Sequence, residues 1–117
     1  MTKNSGPRKL SVTGSHRRSM LRNMATSLFQ HEKVETTIAR AKELKRFSEK
    51  LITVAKPSDV NAKRALSRDI HDKAVQKKVF DVLVPRYKER KGGYTRLFRL
   101  GIRQGDNAQM ALVKLVS

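Results

Sequence analysis

The sequence predicts an α+β fold: four helices packed on a small, mostly antiparallel three-stranded sheet, with an extended basic N-terminal arm. Three observations carry that expectation. Between Ser15 and Pro85, apolar residues recur mainly at three- and four-residue spacings, the helical period. After Gly92-Gly93 the pattern changes to strands, Tyr94 to Arg103 and Ala108 to Val116, separated by a Gln104-Gly105-Asp106-Asn107 turn. Two strands alone are marginal, and the short alternating stretch from Lys33 to Thr37 supplies a third.

Taken in order, residues 1–14 hold Gly6, Pro7 and Gly14 and no sustained apolar period, so they read as the arm, with residues 15–117 as one domain. Ser15 is the expected N-cap of the first helix, in which Met20, Leu21, Met24, Ala25, Leu28 and Phe29 form the apolar stripe. Thr37 is expected to cap the second helix. Its buried stripe is Ala41, Leu44, Phe47, Leu51, Ile52 and Ala55. Lys42, Arg46 and Lys50 stand four residues apart and share an outward face, and Lys45 is placed to pair with Glu49. Pro57 stops this helix.

Ser58 or Asp59 starts a short third helix carrying Val60, Ala65 and Leu66. Asp72 caps a fourth, with Val75, Val79, Phe80 and Leu83 inward and Pro85 as its stop. In the last strand Met110, Leu112 and Val116 alternate with Ala111, Val113 and Leu115. Both faces are largely apolar, which places that strand centrally or under cover on both sides.

Charge narrows the function. Twenty-seven Lys and Arg against ten Asp and Glu give +17 in 117 residues. Like charge at this density opposes a compact state, so it implies a polyanionic partner. Residues 1–31 contain Lys3, Arg8, Lys9, Arg17, Arg18 and Arg22 and not one acid. No cysteine is present, which removes disulfides and zinc-thiolate sites. No apolar run has transmembrane length, and the N-terminus lacks the apolar core of a secretory signal. Arginine and serine without acids also suit an organelle transit segment, but the stretch from Ser15 onward reads as folded body.

Catalysis finds little to build on. His16, His31 and His71 are far apart and lack metal-ligand spacing, and the acids are few and scattered. The expectation is therefore no enzyme, no metal, no cofactor and no small-molecule substrate. Gly92-Gly93 exposes backbone N–H groups suited to a phosphate, and equally makes a simple hinge. In the following strand, alternation places Tyr94, Arg96 and Phe98 on one face and Arg99 and Arg103 on the other. Aromatics between arginines suit base stacking and phosphate contact, although the same rings can be core. The amphipathic first helix is needed for the core, so no membrane partner is expected. The strand predicted after that helix argues against a helix-turn-helix DNA reader.

Several blocks of residues then resemble one family. Ser15-His16-Arg17-Arg18-Ser19-Met20-Leu21-Arg22-Asn23-Met24 is similar to the first helix of bacterial large-subunit ribosomal protein seventeen. Thr36-Thr37, Arg40-Ala41-Lys42-Glu43-Leu44 and Leu51-Ile52-Thr53-Val54-Ala55-Lys56 resemble its second helix. The most specific blocks are Pro85-Arg86-Tyr87, Gly92-Gly93-Tyr94-Thr95-Arg96 and Gly105-Asp106-Asn107-Ala108, in family order and spacing. One departure is the start, Met1-Thr2-Lys3-Asn4, where the family usually begins Met-Arg-His.

The resemblance implies a non-catalytic constituent of the large ribosomal subunit in the cytoplasm. Its implied partners are large-subunit ribosomal RNA and neighbouring large-subunit ribosomal proteins. The candidate RNA contacts are Lys3, Arg8, Lys9, His16, Arg17, Arg18 and Arg22, then Lys42 and Arg46, then Tyr94, Arg96, Arg99 and Arg103. The competing expectation is a free nucleoid-type DNA-binding protein.

Overall fold

A computed structural model describes residues 14–116, so the expected arm, with Lys3, Arg8 and Lys9, lies outside the described residues except for Gly14, which opens the first helix. The order is α1 (Gly14–His31), β1 (Lys33–Thr37), α2 (Ile38–Ala55), α3 (Val60–Asp69), α4 (Lys73–Lys78), β2 (Thr95–Ile102) and β3 (Gln109–Leu115). The α+β expectation is met. The three strands form one antiparallel sheet in the order β1-β3-β2, so the apolar last strand is central.

Helix starts follow local chemistry. The Asp59 carboxylate accepts from the Ala62 N–H at 2.8 Å and caps α3. The Asp72 carboxylate accepts from the N–H of Ala74 at 2.9 Å and caps α4. Thr37 occupies the N-cap position of α2 in extended backbone but makes no side-chain cap bond. Ser15 is not a cap, because α1 already begins at Gly14.

Pro85 does not stop the fourth helix outright. After Lys78 the helix widens into a π-helical stretch, Val79–Leu83, and closes with one α-helical turn, Val84–Arg86. The Val84 N–H bonds back to the Val79 carbonyl, five residues away. This wider turn helps a helix accommodate proline, which brings no N–H and crowds the preceding carbonyls.

One face of the sheet packs on α2 and contributes Val113, Leu115 and Ala111 to the core, beside Leu28, Phe29, Leu44, Ile52, Leu66, Val79 and Leu83. The expected helical stripes are largely the buried ones. Phe47 and Phe80 are partly buried at the core margin, and Val60 is exposed at 63%. Glu43 and Ser48 of α2 are buried as well, and the Ser48 hydroxyl donates to the Leu44 carbonyl at 2.8 Å.

Candidate nucleic-acid interface

The α1 candidates separate by environment. His16 and Arg18 are exposed and Arg17 is half-buried. Arg22 is committed within the fold: its Nε donates to Asp69 Oδ1 at 2.8 Å, tying α1 to the last turn of α3. A guanidinium held this way has less capacity left for a phosphate.

The α2 stripe is placed as its spacing demands, with Lys42, Arg46 and Lys50 all exposed. Arg46 also lies 3.6 Å from the buried Glu43 carboxylate. Leu21 of α1 and Glu43, Arg46, Phe47, Glu49 and Lys50 of α2 line a groove of about 360 Å³ between the two helices. Arg68 of α3 joins Lys50 along a second depression between α2 and α3, an added cation that sequence spacing did not single out. The expected Lys45–Glu49 pair is not among the ion pairs of the described residues, because Glu49 turns to β2. There its Oε2 accepts from the Thr95 N–H at 3.2 Å and the Thr95 hydroxyl at 2.7 Å.

The C-terminal segment corrects the strand reading in one important respect. Tyr94 is only 2% exposed and precedes β2 instead of sharing its open face. Gly92 and Gly93 both have positive φ, 85° and 64°, a backbone path that side-chain-bearing residues rarely take, and it turns Tyr94 inward. Its ring centroid lies 5.2 Å from that of Tyr87, and the Lys56 ammonium sits 4.7 Å over it. Burial raises the Tyr94 hydroxyl's pKa, but hydrogen bonding with Lys56, Thr53 and the Gly92 backbone outweighs this and leaves it below the ordinary value. No face of the ring is open for base stacking. The sequence signal for this was the glycine pair directly before it.

Arg96 and Arg99 are exposed and point to opposite faces of β2. Arg103 lies just beyond the strand, where its guanidinium grips the Asp106 carboxylate across the β2–β3 turn. That contact, with the Ala108 N–H, lowers the Asp106 pKa to about 2. Arg103 thus organises the turn and is partly neutralised by it.

Two groups of residues went unnoticed in the sequence. Glu32, at φ 66° between α1 and β1, accepts both Arg86 nitrogens at 2.7 and 3.3 Å and lies 3.2 Å from the Lys78 ammonium. Chiefly through Arg86, its carboxyl is held below the usual carboxylate value. The other group is Lys33 and Lys114, which cross-strand register aligns with Arg96.

Among the described residues no set of three His, Asp or Glu side chains is grouped to hold a metal ion, and no helix is long and apolar enough to cross a membrane. A small helix-on-sheet body with exposed cations on its helices and strands defines a class: a small, strongly basic α+β protein.

Comparison with known proteins makes this specific. The family profile described as ribosomal protein L17 matches residues 20–116. A relative from Endomicrobium trichonymphae, named large ribosomal subunit protein bL17, is 54% identical over 109 residues, covering 93% of each chain. The protein of the same name from Elusimicrobium minutum is 53% identical over 117 residues, covering 99% of each. In Geobacter metallireducens the identity is 50% over 116 residues, 99% of this chain and 65% of that longer one. The chain belongs to the ribosomal protein L17 family, a family of structural ribosomal proteins and not of enzymes.

Proposed function

We propose that this protein is a structural constituent of the large ribosomal subunit that binds and stabilises large-subunit ribosomal RNA by neutralising its phosphates. The observation that carries the reading is the +17 charge on a chain of this family. In the described body, exposed Arg18, Lys42, Lys50, Arg96 and Arg99 are distributed over α1, α2 and β2. Such cations displace condensed counterions from RNA, and that release drives association. Exposed Arg46 and His16 add to this set, and Lys3, Arg8 and Lys9 add charge in the N-terminal part of the sequence. Neighbouring large-subunit proteins are its further partners in the assembled particle.

Sucrose-gradient sedimentation of a cell extract tests the role. The protein is expected to travel with large ribosomal subunits. Co-sedimentation with chromosomal DNA, with none in the subunit fractions, would assign it to the nucleoid instead.

A further inference from the structure

The sheet has two unlike faces. One lies against the helices; the other carries Lys33, Glu35, Leu112, Lys114, Arg96 and Phe98 by strand alternation. Register aligns Lys33 with Lys114 and Lys114 with Arg96, so three cations form a row across all three strands. All three are exposed, and among the described residues none has an ion pair. Neighbouring strands are about 4.8 Å apart, so the backbone positions that carry the three cations lie within about 10 Å. Like charges directly opposite one another destabilise a sheet, so local folding does not account for the row.

The next row is Glu35, Leu112 and Phe98, with the acid at the far β1 edge. Phe98 is 46% exposed, whereas Phe29, Tyr87 and Tyr94 are buried and Phe47 and Phe80 pack against the core margin. Arg96, Phe98, Lys114, Leu115 and Val116 line a shallow depression of about 180 Å³, smaller than the sites that enclose drug-sized ligands.

We propose that this open sheet face is a contact for a single-stranded RNA segment. Phe98 stacks on one unpaired base while Arg96, Lys114 and Lys33 hold the flanking phosphates. The assignment rests on the ribosomal RNA reading above and names the kind of RNA this face takes. Phosphate suits the cation row by charge. The exposed ring selects a single strand, because bases in an A-form duplex present no open π-face to a flat sheet, whereas splayed bases do.

The test uses the full chain and three probes: a large-subunit ribosomal RNA transcript, a ten-nucleotide single-stranded RNA with a central 2-aminopurine, and an RNA duplex of equal length. Phe98→Ala is expected to weaken single-strand binding about 5- to 150-fold, the range of one base–aromatic stack, and to leave duplex binding unchanged. It should also abolish 2-aminopurine quenching. Phe98→Trp should retain both, and Phe98→Leu, which keeps apolar area without an aromatic face, should behave like Phe98→Ala. Lys33→Gln with Lys114→Gln should reduce the salt slope for the single strand by about 0.7 per lost contact.

Equal binding by wild type and Phe98→Ala, with the transcript still bound at a steep salt slope, overturns the sheet assignment alone. Full single-strand binding by Phe98→Leu also overturns it, because apolar area and not base stacking on an aromatic face would then carry the contact. Failure of the wild type to bind the transcript overturns this assignment together with the ribosomal RNA reading.

Discussion

The Glu49 carboxylate of α2 receives both polar hydrogens of Thr95, the backbone N–H at 3.2 Å and the hydroxyl at 2.7 Å, across 46 residues of sequence. Thr95 is 3% exposed and opens β2, directly after buried Tyr94. The pair therefore sets where the strand bearing Arg96 and Phe98 leaves the core. Removing the carboxylate strands two donors in a largely dry site. Glu49→Ala is expected to destabilise the protein by about 1–3 kcal/mol, with Glu49→Gln milder, measured by urea denaturation. An unchanged midpoint would mean that Thr95 finds another acceptor without cost.

Tyr94 makes a second prediction about the same junction. Removing a buried ring packed on Tyr87 should cost about 3–5 kcal/mol in Tyr94→Ala, again read by urea denaturation. Tyr94→Phe keeps the ring and should leave RNA affinity unchanged. A large fall in RNA affinity in a stably folded Tyr94→Phe would restore Tyr94 as a direct contact.

Glu32 gives the fold an acid-sensitive tie. Its folded pKa lies below the usual 4.5, so ionisation favours the folded state. The contribution is complete above the unfolded value and is lost as pH falls through the folded one. Because both partners are partly exposed, with Glu32 at 36% and Arg86 at 26%, solvent screening limits it to about 0.5–1 kcal/mol. The stability gap between wild type and Glu32→Gln should be fully open at pH 7 and shrink below about pH 4.5. Urea titrations at several pH values check this, and a gap that widens in acid contradicts it.

Arg22 and Arg18 share a helix but not a role. Arg22 is paired with Asp69 at 2.8 Å, whereas Arg18 is exposed. Arg18→Gln is expected to lower the log–log salt slope for RNA binding by about 0.7–0.9 with little change in stability. Arg22→Gln is expected to lower stability by up to about 1 kcal/mol and to change the slope less. Parallel salt titrations and urea curves separate the two, and a reversed order would mean that RNA displaces Asp69 from Arg22.

Much of the fold was legible because its signals are local. Asp59 and Asp72 cap the helices they precede, and the stripes of α1, α2 and α4 lie inward because three- and four-residue spacing fixes a face. Glycines 92 and 93 mark the change of path before Tyr94. Features that depend on residues distant in sequence were not legible. Alternation grouped Tyr94 with Arg96 and Phe98, but the glycine turn and the Tyr87 ring draw Tyr94 into the core. Glu49 bonds Thr95 instead of Lys45, and the Lys33–Lys114–Arg96 row exists only through cross-strand register. The cations that spacing picked out on one element, Lys42 and Arg46, are exposed; those paired across elements or a turn, Arg22 and Arg103, are partly engaged within the fold.

The central claim is that RNA is held by neutralised phosphates, and the salt dependence of binding measures it most directly. Titrating the full chain against a large-subunit ribosomal RNA transcript at several salt concentrations should give a straight log–log line. Its slope should grow by roughly 0.7–0.9 for each phosphate contacted, and so be steep for several contacts. An affinity nearly independent of salt would contradict the account.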